Sequence, residues 1–522
     1  MAPPEPPELI RDAVALRGMQ PIRVDGVGLV NALAGTGGPV DPSPYREQLV
    51  DEMRRNSVPA PNEILESDTN SIVHVRASIP PGARRGDPID LRVSSPPGSN
   101  VTDLQGGWLL DTRLRHQRLI AGRVRRGDVQ GMATGAILTR AAFEGGEDES
   151  QKTEGVILGG GRVQKDLPMG LVIRPQYKHV EISKQIAKAI NARFFFFDGA
   201  TRRGVAKPVE DDFIELELHP RYEGALGRYV AVVRAIGVNQ QQANQHERLQ
   251  SLAELANNPA TAADAALQLE ALGESAVPTL LEIIKQDSDE LRFYAAEALA
   301  YLDRQEAVPV LEELIARESA FRHPALAAMQ RLKHPSVGDA LHRLFDHPSI
   351  ETRYGAMATL RRREELLHQL RPEKLGDALK LYQIESQAPP AIVVSVRSEP
   401  EIVLFGDTQP VAITKFVFGP SGIIIKPDAS TGRLRISRFQ VDKSDRRVVV
   451  ASSVRDLIAG VVAVGGSYGD VVTVLRLAKS KGYIVDQLAI DPLPKPLRTY
   501  YRDEASEGET QDTDVEFTGS GV

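Results

Sequence analysis

Leu291-Arg292-Phe293-Tyr294-Ala295-Ala296-Glu297-Ala298-Leu299 is the stretch that decides the reading of this chain. Thirty residues on stand Phe321-Arg322, then Ala325, Ala327-Ala328 and Leu332. Thirty-one after that stand Thr352-Arg353, then Ala356, Ala358 and Leu360. Each copy sets an apolar or β-branched residue and an arginine before small and leucine positions that fall on one face of a helix. Val277-Pro278, Val308-Pro309 and Val337-Gly338 open the helix before each copy, and a weaker first copy over 247–272 carries Ala265-Ala266. A fixed period of this length predicts stacked helical pairs, an α-solenoid in which small residues let helices approach and leucines bury against the next repeat.

The pattern resembles HEAT-like repeats. In that family the arginine after the apolar residue packs near the neighbouring turn, an expectation that falls on Arg292, Arg322 and Arg353. The repeat region is placed at 247–385, with 247–370 helical, after a Gln/Asn-rich linker at 240–246.

Outward from the repeats, both flanks change texture. Ser43-Pro44 reads as an N-cap followed by proline at the first helical position, with Tyr45, Leu49, Val50 and Met53 on one face. Ile89, Leu91 and Val93 alternate with Asp90 and Arg92 as in a half-buried strand. Residues 144–155 are acidic and poor in apolar groups and read as a linker. A second stretch brings a strand at Leu171-Val172-Ile173, a helical stripe of Ile182, Ile186, Ala189 and Ile190, and an alternating strand around Ile214 and Leu216. Beyond Pro389-Pro390, short strands at 392–396 and 402–405 precede two helices. The first starts at Ser453 with Asp456 three residues on; the second ends at Gly482. The predicted fold class is therefore multi-domain α+β, mixed α/β modules with an inserted α-solenoid. Its expected parts are a disordered start at 1–8, modules at 9–143 and 155–238, the repeats, a C-terminal module at 390–498 and a disordered acidic tail at 499–522.

Composition bounds the function. The 522 residues suffice for several cores, and 42% apolar with 25% charged is an ordinary globular profile. Sixty-three basic against seventy acidic side chains give a net charge of −7 and no global case for nucleic acid. The absence of cysteine excludes disulfides, thiolate metal sites and a cysteine nucleophile. No apolar run is long enough to span a membrane. The proline-rich start has neither the basic nor the apolar region of a signal peptide, which leaves a cytosolic protein or a mature exported form.

Motifs that carry chemistry fail one by one. Gly465-Gly466-Ser467-Tyr468-Gly469 fits G-x-S-x-G, but the segment before Ser467 reads as helix where a nucleophile elbow needs a strand. Gly26-Val27-Gly28, Gly35-Thr36-Gly37-Gly38 and Gly159-Gly160-Gly161 lack the rest of any phosphate-loop pattern and read as tight glycine turns. The ten histidines are scattered, and His116 and His179 read as surface or capping residues. No catalytic, cofactor-binding or metal-ligating residue is assigned. The densest basic run is Arg113, Arg115, Arg118, Arg123, Arg125 and Arg126, a solvated face or a docking surface for an acidic partner or a neighbouring copy. Trp108, the only tryptophan, reads as a core residue, with an interface anchor as the other reading.

Gly26-Val27-Gly28-Leu29-Val30-Asn31-Ala32-Leu33-Ala34-Gly35-Thr36-Gly37 is similar to the G-Y-G-L-V-x-G-L-x-G-T-G signature of the flagellar basal-body P-ring family. Ile79-Pro80-Pro81-Gly82-Ala83-Arg84-Arg85-Gly86-Asp87-Pro88-Ile89-Asp90 resembles its L-P-P-F-A-R-x-G-x-x-I-D. Val93-Ser94-Ser95 and Leu104-Gln105-Gly106-Gly107 follow in the family's order, and the helix ending at Asn191 resembles one ending A-I-N. The resemblance covers 9–238 and, through the two helices after Ser453, roughly 390–491. It implies a non-catalytic periplasmic ring of many copies around the flagellar rod. Its partners would be itself, the rod, other basal-body proteins and peptidoglycan, with no cofactor. The family's usual cysteine pair is missing and the repeats are foreign to it, so the repeats are expected to project and dock another component. The alternatives are a soluble scaffold reusing such a core outside the flagellum, and a hydrolase using Ser467.

Overall fold

A computed structural model describes residues 5–120, 123–145, 148–238, 245–428, 430–440 and 444–496. The acidic tail expected at 499–522, the first four residues and most of the linker at 240–246 lie outside the described residues.

The alternation of the N-terminal strands closes into a barrel. Its strands run Pro88–Ser94, Ser71–Ile79, Ile22–Asn31, Trp108–Ile120, Arg123–Ala136 and Glu154–Val163 around the sheet, all antiparallel, and Glu154–Val163 pairs back onto Pro88–Ser94. Inward residues such as Val75, Leu91, Leu109, Leu114 and Ile157 fill it. Helices Pro44–Arg55, capped by Ser43, and Pro61–Glu66 cover one outer face through Leu49, Val50, Met53 and Leu65.

Two glycine motifs expected as turns lie inside these strands. A Cβ on Gly28 would meet Thr112 Oγ1 at 2.3 Å and Leu109 Cδ1 at 2.7 Å. One on Gly161 would meet Ile89 Cγ1 at 2.4 Å. Their role is close strand approach in a closed sheet, which local sequence does not reveal. The expected linker at 144–155 is also corrected: helix Glu149–Thr153 leads directly into the closing strand.

The expected boundary between the two N-terminal modules shifts as well. Val14–Arg17 pairs with Met169–Ile173, which continues through Phe213–Leu216 to Ala206–Pro208. The barrel is thus inserted in a small antiparallel sheet covered by helices Val180–Arg193 and Leu226–Ala235. Asn191 ties helix to strand, donating to and accepting from the Ala206 backbone at 2.7 and 2.8 Å. The segment expected to be disordered at 1–8 is anchored at its end, where the Glu8 carbonyl accepts from the Val238 N–H.

The solenoid follows as stacked helices from Gln245–Ala256 to Ile350–Arg361. Two of the three repeated arginines pair with acids. Arg292 pairs with Asp289 and Glu313, and Arg322 with Glu351. Arg353, 1% exposed in the last repeat, donates instead to the Pro389 carbonyl. Phe293 and Phe321 stack at 4.4 Å between repeats.

The repeats end before 373, not at 385. Glu373–Leu375 and Leu379–Ile384 are strands of a five-stranded mixed sheet completed by Glu401–Phe405, Ala391–Val394 and Gln487–Ile490. A second, four-stranded antiparallel sheet and helices Val454–Ala463 and Tyr468–Ser480 pack beside it around Leu457, Ile458, Val471 and Leu475. The solenoid is not a loosely appended projection. One buried cluster runs from Ile10 through the repeats to Phe405.

Candidate interaction surfaces

Pairing of Gln117 with Arg126, Arg118 with Arg125 and Ile120 with Arg123 makes the basic run a long hairpin extending from the barrel. Arg113 pairs with Glu52 at 2.8 Å, and Arg115 donates to the Gly127 carbonyl at 3.2 Å. The side chains of Arg118, Arg123, Arg125 and Arg126 lie outside the described residues. The structure thus brings all six arginines onto one hairpin and pairs Arg113 with Glu52 of the covering helix Pro44–Arg55.

Ser467 has a structural task. Its hydroxyl caps helix Tyr468–Ser480, accepting from the Asp470 N–H while the Asp470 carboxylate accepts from the Ser467 N–H at 2.8 Å. Gly465, at φ +87°, ends the preceding helix. The G-x-S-x-G run is a helix–turn–helix joint. His179 caps its helix through Nδ1, 3.1 Å from the Glu181 N–H.

Trp108 is not in the core. It is 48% exposed, because its neighbour Leu109 takes the inward parity. It lines a cavity of about 560 Å³ between the barrel and the C-terminal module, floored by Gly106, Gly135 and Gly160 and walled by Pro400 and Tyr468.

Sequence reading missed two buried ionic junctions. At the first, Arg228 from the small sheet module reaches both Glu270 and Glu297 on the first repeat helices, and Tyr222 donates to Glu270 at 2.5 Å. Burial works against the Arg228 charge, but the two carboxylates hold its pKa above the usual arginine value. Burial, with Glu270 alongside, raises Glu297 against the lowering effect of Arg228. At the second, Glu401 on the C-terminal sheet meets Arg361 and accepts from Tyr354 at 2.8 Å. No local signal marks them, because Arg228 and Glu401 lie outside the repeats and meet their partners only through the fold.

A third charged group lies on the barrel wall, where Arg23, Arg76 and Arg92 border an open depression of about 1060 Å³. Among the described residues there is no His, Asp or Glu cluster able to hold a metal ion, and no helix long and apolar enough to cross a membrane.

With both modules placed, comparison with known proteins separates them. Residues 9–246 match the family model of the flagellar P-ring protein. Residues 246–329 match that of HEAT repeats. The flagellar P-ring protein of Nitrosospira multiformis is 32% identical over 222 residues, 39% of this chain and 56% of that protein. Those of Geobacter metallireducens and Thermotoga maritima are each 28% identical, over 239 and 245 residues, covering 44% of this chain and 61% and 66% of theirs. The chain thus spans between 56% and 66% of these relatives. The P-ring match takes in the barrel and the small sheet, and ends where the solenoid starts. Arg228 joins the two matched regions across that boundary. Neither family match includes 390–491.

Proposed function

We propose that this chain is a non-catalytic structural component of a P-ring type, assembling with copies of itself into a periplasmic ring around the flagellar rod. The observation that carries the reading is the P-ring match over 9–246, which coincides with the complete barrel and sheet module rather than with a fragment of either. The C-terminal α/β module completes the ring subunit, and the HEAT-matched repeats offer a surface to another basal-body component. The arginine hairpin at 113–126 supplies an electrostatic contact to an acidic neighbour or to the next copy. Peptidoglycan is a further contact of such a ring, and neither a cofactor nor nucleic acid belongs to the role.

The test is electron microscopy of isolated basal bodies carrying a label within 247–370. Label in a ring around the rod, with density beyond that of a ring built without repeats, supports the reading. Intact basal bodies free of label overturn it and place the core in a scaffold outside the flagellum.

A further inference from the structure

The outer face of the barrel carries an unbalanced charge lattice. Registers Asp25↔Arg76 and Arg76↔Arg92 set these side chains in one row across three strands, with Arg115 opposite Asp25 extending it. Arg23 stands in the next row. Arg76 and Arg92 are like charges placed directly opposite, which weakens strand pairing. Arg23, Arg76 and Arg92 are exposed and have no ion-pair partner among the described residues. The acids of the depression are engaged elsewhere. Asp25 lies 3.4 Å from His74, and Asp90 accepts the N–H groups of Gly159 and Ser398.

The C-terminal strand leads away from this place. Asp491, directly after Gln487–Ile490, pairs at 2.5 Å with Arg397, which lines the same depression. Leu493 then packs on the main core and Pro494 against Gly355. Description stops at residue 496, five residues past Asp491 and so within about 18 Å of it even if fully extended. The sequence beyond carries Asp503, Glu504, Glu507, Glu509, Asp512, Asp514 and Glu516 against a single further pair of basic residues, Arg498 and Arg502. Thirteen residues, from 496 to Glu509, can span at most about 45 Å by covalent geometry.

We propose that the acidic stretch 503–516 of this chain docks in its own arginine depression, with Arg23, Arg76 and Arg92 as its contacts. The tail neutralises the opposed Arg76–Arg92 pair and covers this wall of the barrel. The inference does not depend on the ring reading.

A fluorescent synthetic peptide of residues 503–517, titrated by anisotropy, tests it against the full chain and a chain ending at residue 502. The shortened chain should bind the peptide, more weakly with added salt. The full chain should bind it about tenfold more weakly, because the tethered tail competes at a high effective concentration. Binding to the shortened chain should be lost with Arg23→Gln, Arg76→Gln and Arg92→Gln together, with circular dichroism showing the barrel intact. Undiminished binding to that triple variant puts the peptide on another surface and overturns the proposal. Equal binding to the full and shortened chains leaves the depression open to an acidic partner in trans and overturns it too.

Discussion

Arg228→Met removes a cation that pairs with two buried carboxylates at the joint between the P-ring-matched and HEAT-matched regions. Glu270 is fully buried and the Glu297 side chain is 12% exposed, so water does not replace the lost partner. Stripping one member from a buried pair costs about 3–5 kcal/mol, most of it the penalty on the charge left behind. Tyr222 still donates to Glu270, and the Arg193 guanidinium is committed to the Glu270 backbone carbonyl, so neither supplies a new counter-charge. The sign with pH follows from Glu297, whose pKa is already raised by burial. A carboxyl raised in the folded state contributes stability below its unfolded pKa and loses it as pH rises through the folded value. Without Arg228 that loss grows, so the variant should be damaged more at pH 7 than at pH 5. Urea unfolding at both pH values, with hydrogen exchange of the helices Leu226–Ala235 and Ala262–Leu272 as local readout, measures it. Adding Glu270→Gln and Glu297→Gln to Arg228→Met should recover all but about 1–2 kcal/mol, since an uncharged joint has no ion to desolvate. A single-variant loss under about 1 kcal/mol, or one independent of pH, refutes this account of the joint.

Three other outcomes follow from the same reasoning. Glu401→Ala strands Arg361 and leaves the Tyr354 hydroxyl without its acceptor, and should cost about 3 kcal/mol, read as faster exchange in Ile350–Arg361 and Glu401–Phe405. Ser467→Ala removes a helix cap and should cost about 1 kcal/mol by urea titration, and a serine-reactive probe should label neither the parent nor the variant at this site. Gly28→Val drives a Cβ into Thr112 and Leu109 and should destabilise the barrel by about 1–3 kcal/mol, with Thr112→Ala restoring part of the loss in thermal unfolding.

The contrast between repeats and barrel shows what one sequence makes legible. The solenoid repeats a local pattern, so Ala295-Ala296 and its echoes can be counted, and Arg292 and Arg322 can be expected near the next turn. Caps at Ser43 and Ser453 are equally local. The barrel depends on pairings between Ile22–Asn31 and Trp108–Ile120, and between Pro88–Ser94 and Glu154–Val163, so Gly28 and Gly161 read locally as turn glycines although their reason lies across the sheet. Trp108 carries its signal in the neighbouring residues. Leu109, Thr112 and Leu114 are inward, and the parity of Leu109 alone puts Trp108 outside. The buried junctions had no positive signature, because Glu270, Glu297 and Glu401 look like solvated acids until Arg228 and Arg361 are brought to them by the fold.

The two junctions change what an inserted solenoid does. A free-standing repeat array needs polar capping repeats, because its end helices expose the face that would bury the next copy. Here the first helix, Gln245–Ala256, buries only Leu252 and Ala256, and both ends of the array also meet α/β modules. The helix Leu226–Ala235 covers the first repeats through Arg228 and the main core, and the sheet strands Ala391–Val394 and Glu401–Phe405 cover the last through Arg353, Phe405 and Glu401. The α/β modules thus help to cap the array, and the solenoid in return fixes one module against the other through packed side chains. That exchange suits the proposed ring. A heterologous interface closes only if each subunit presents its two contact surfaces at a set angle, and a small hinge error repeated from copy to copy opens the ring into a helix. An insertion tied in at both ends by buried charge is compatible with the proposed docking surface and with keeping that angle.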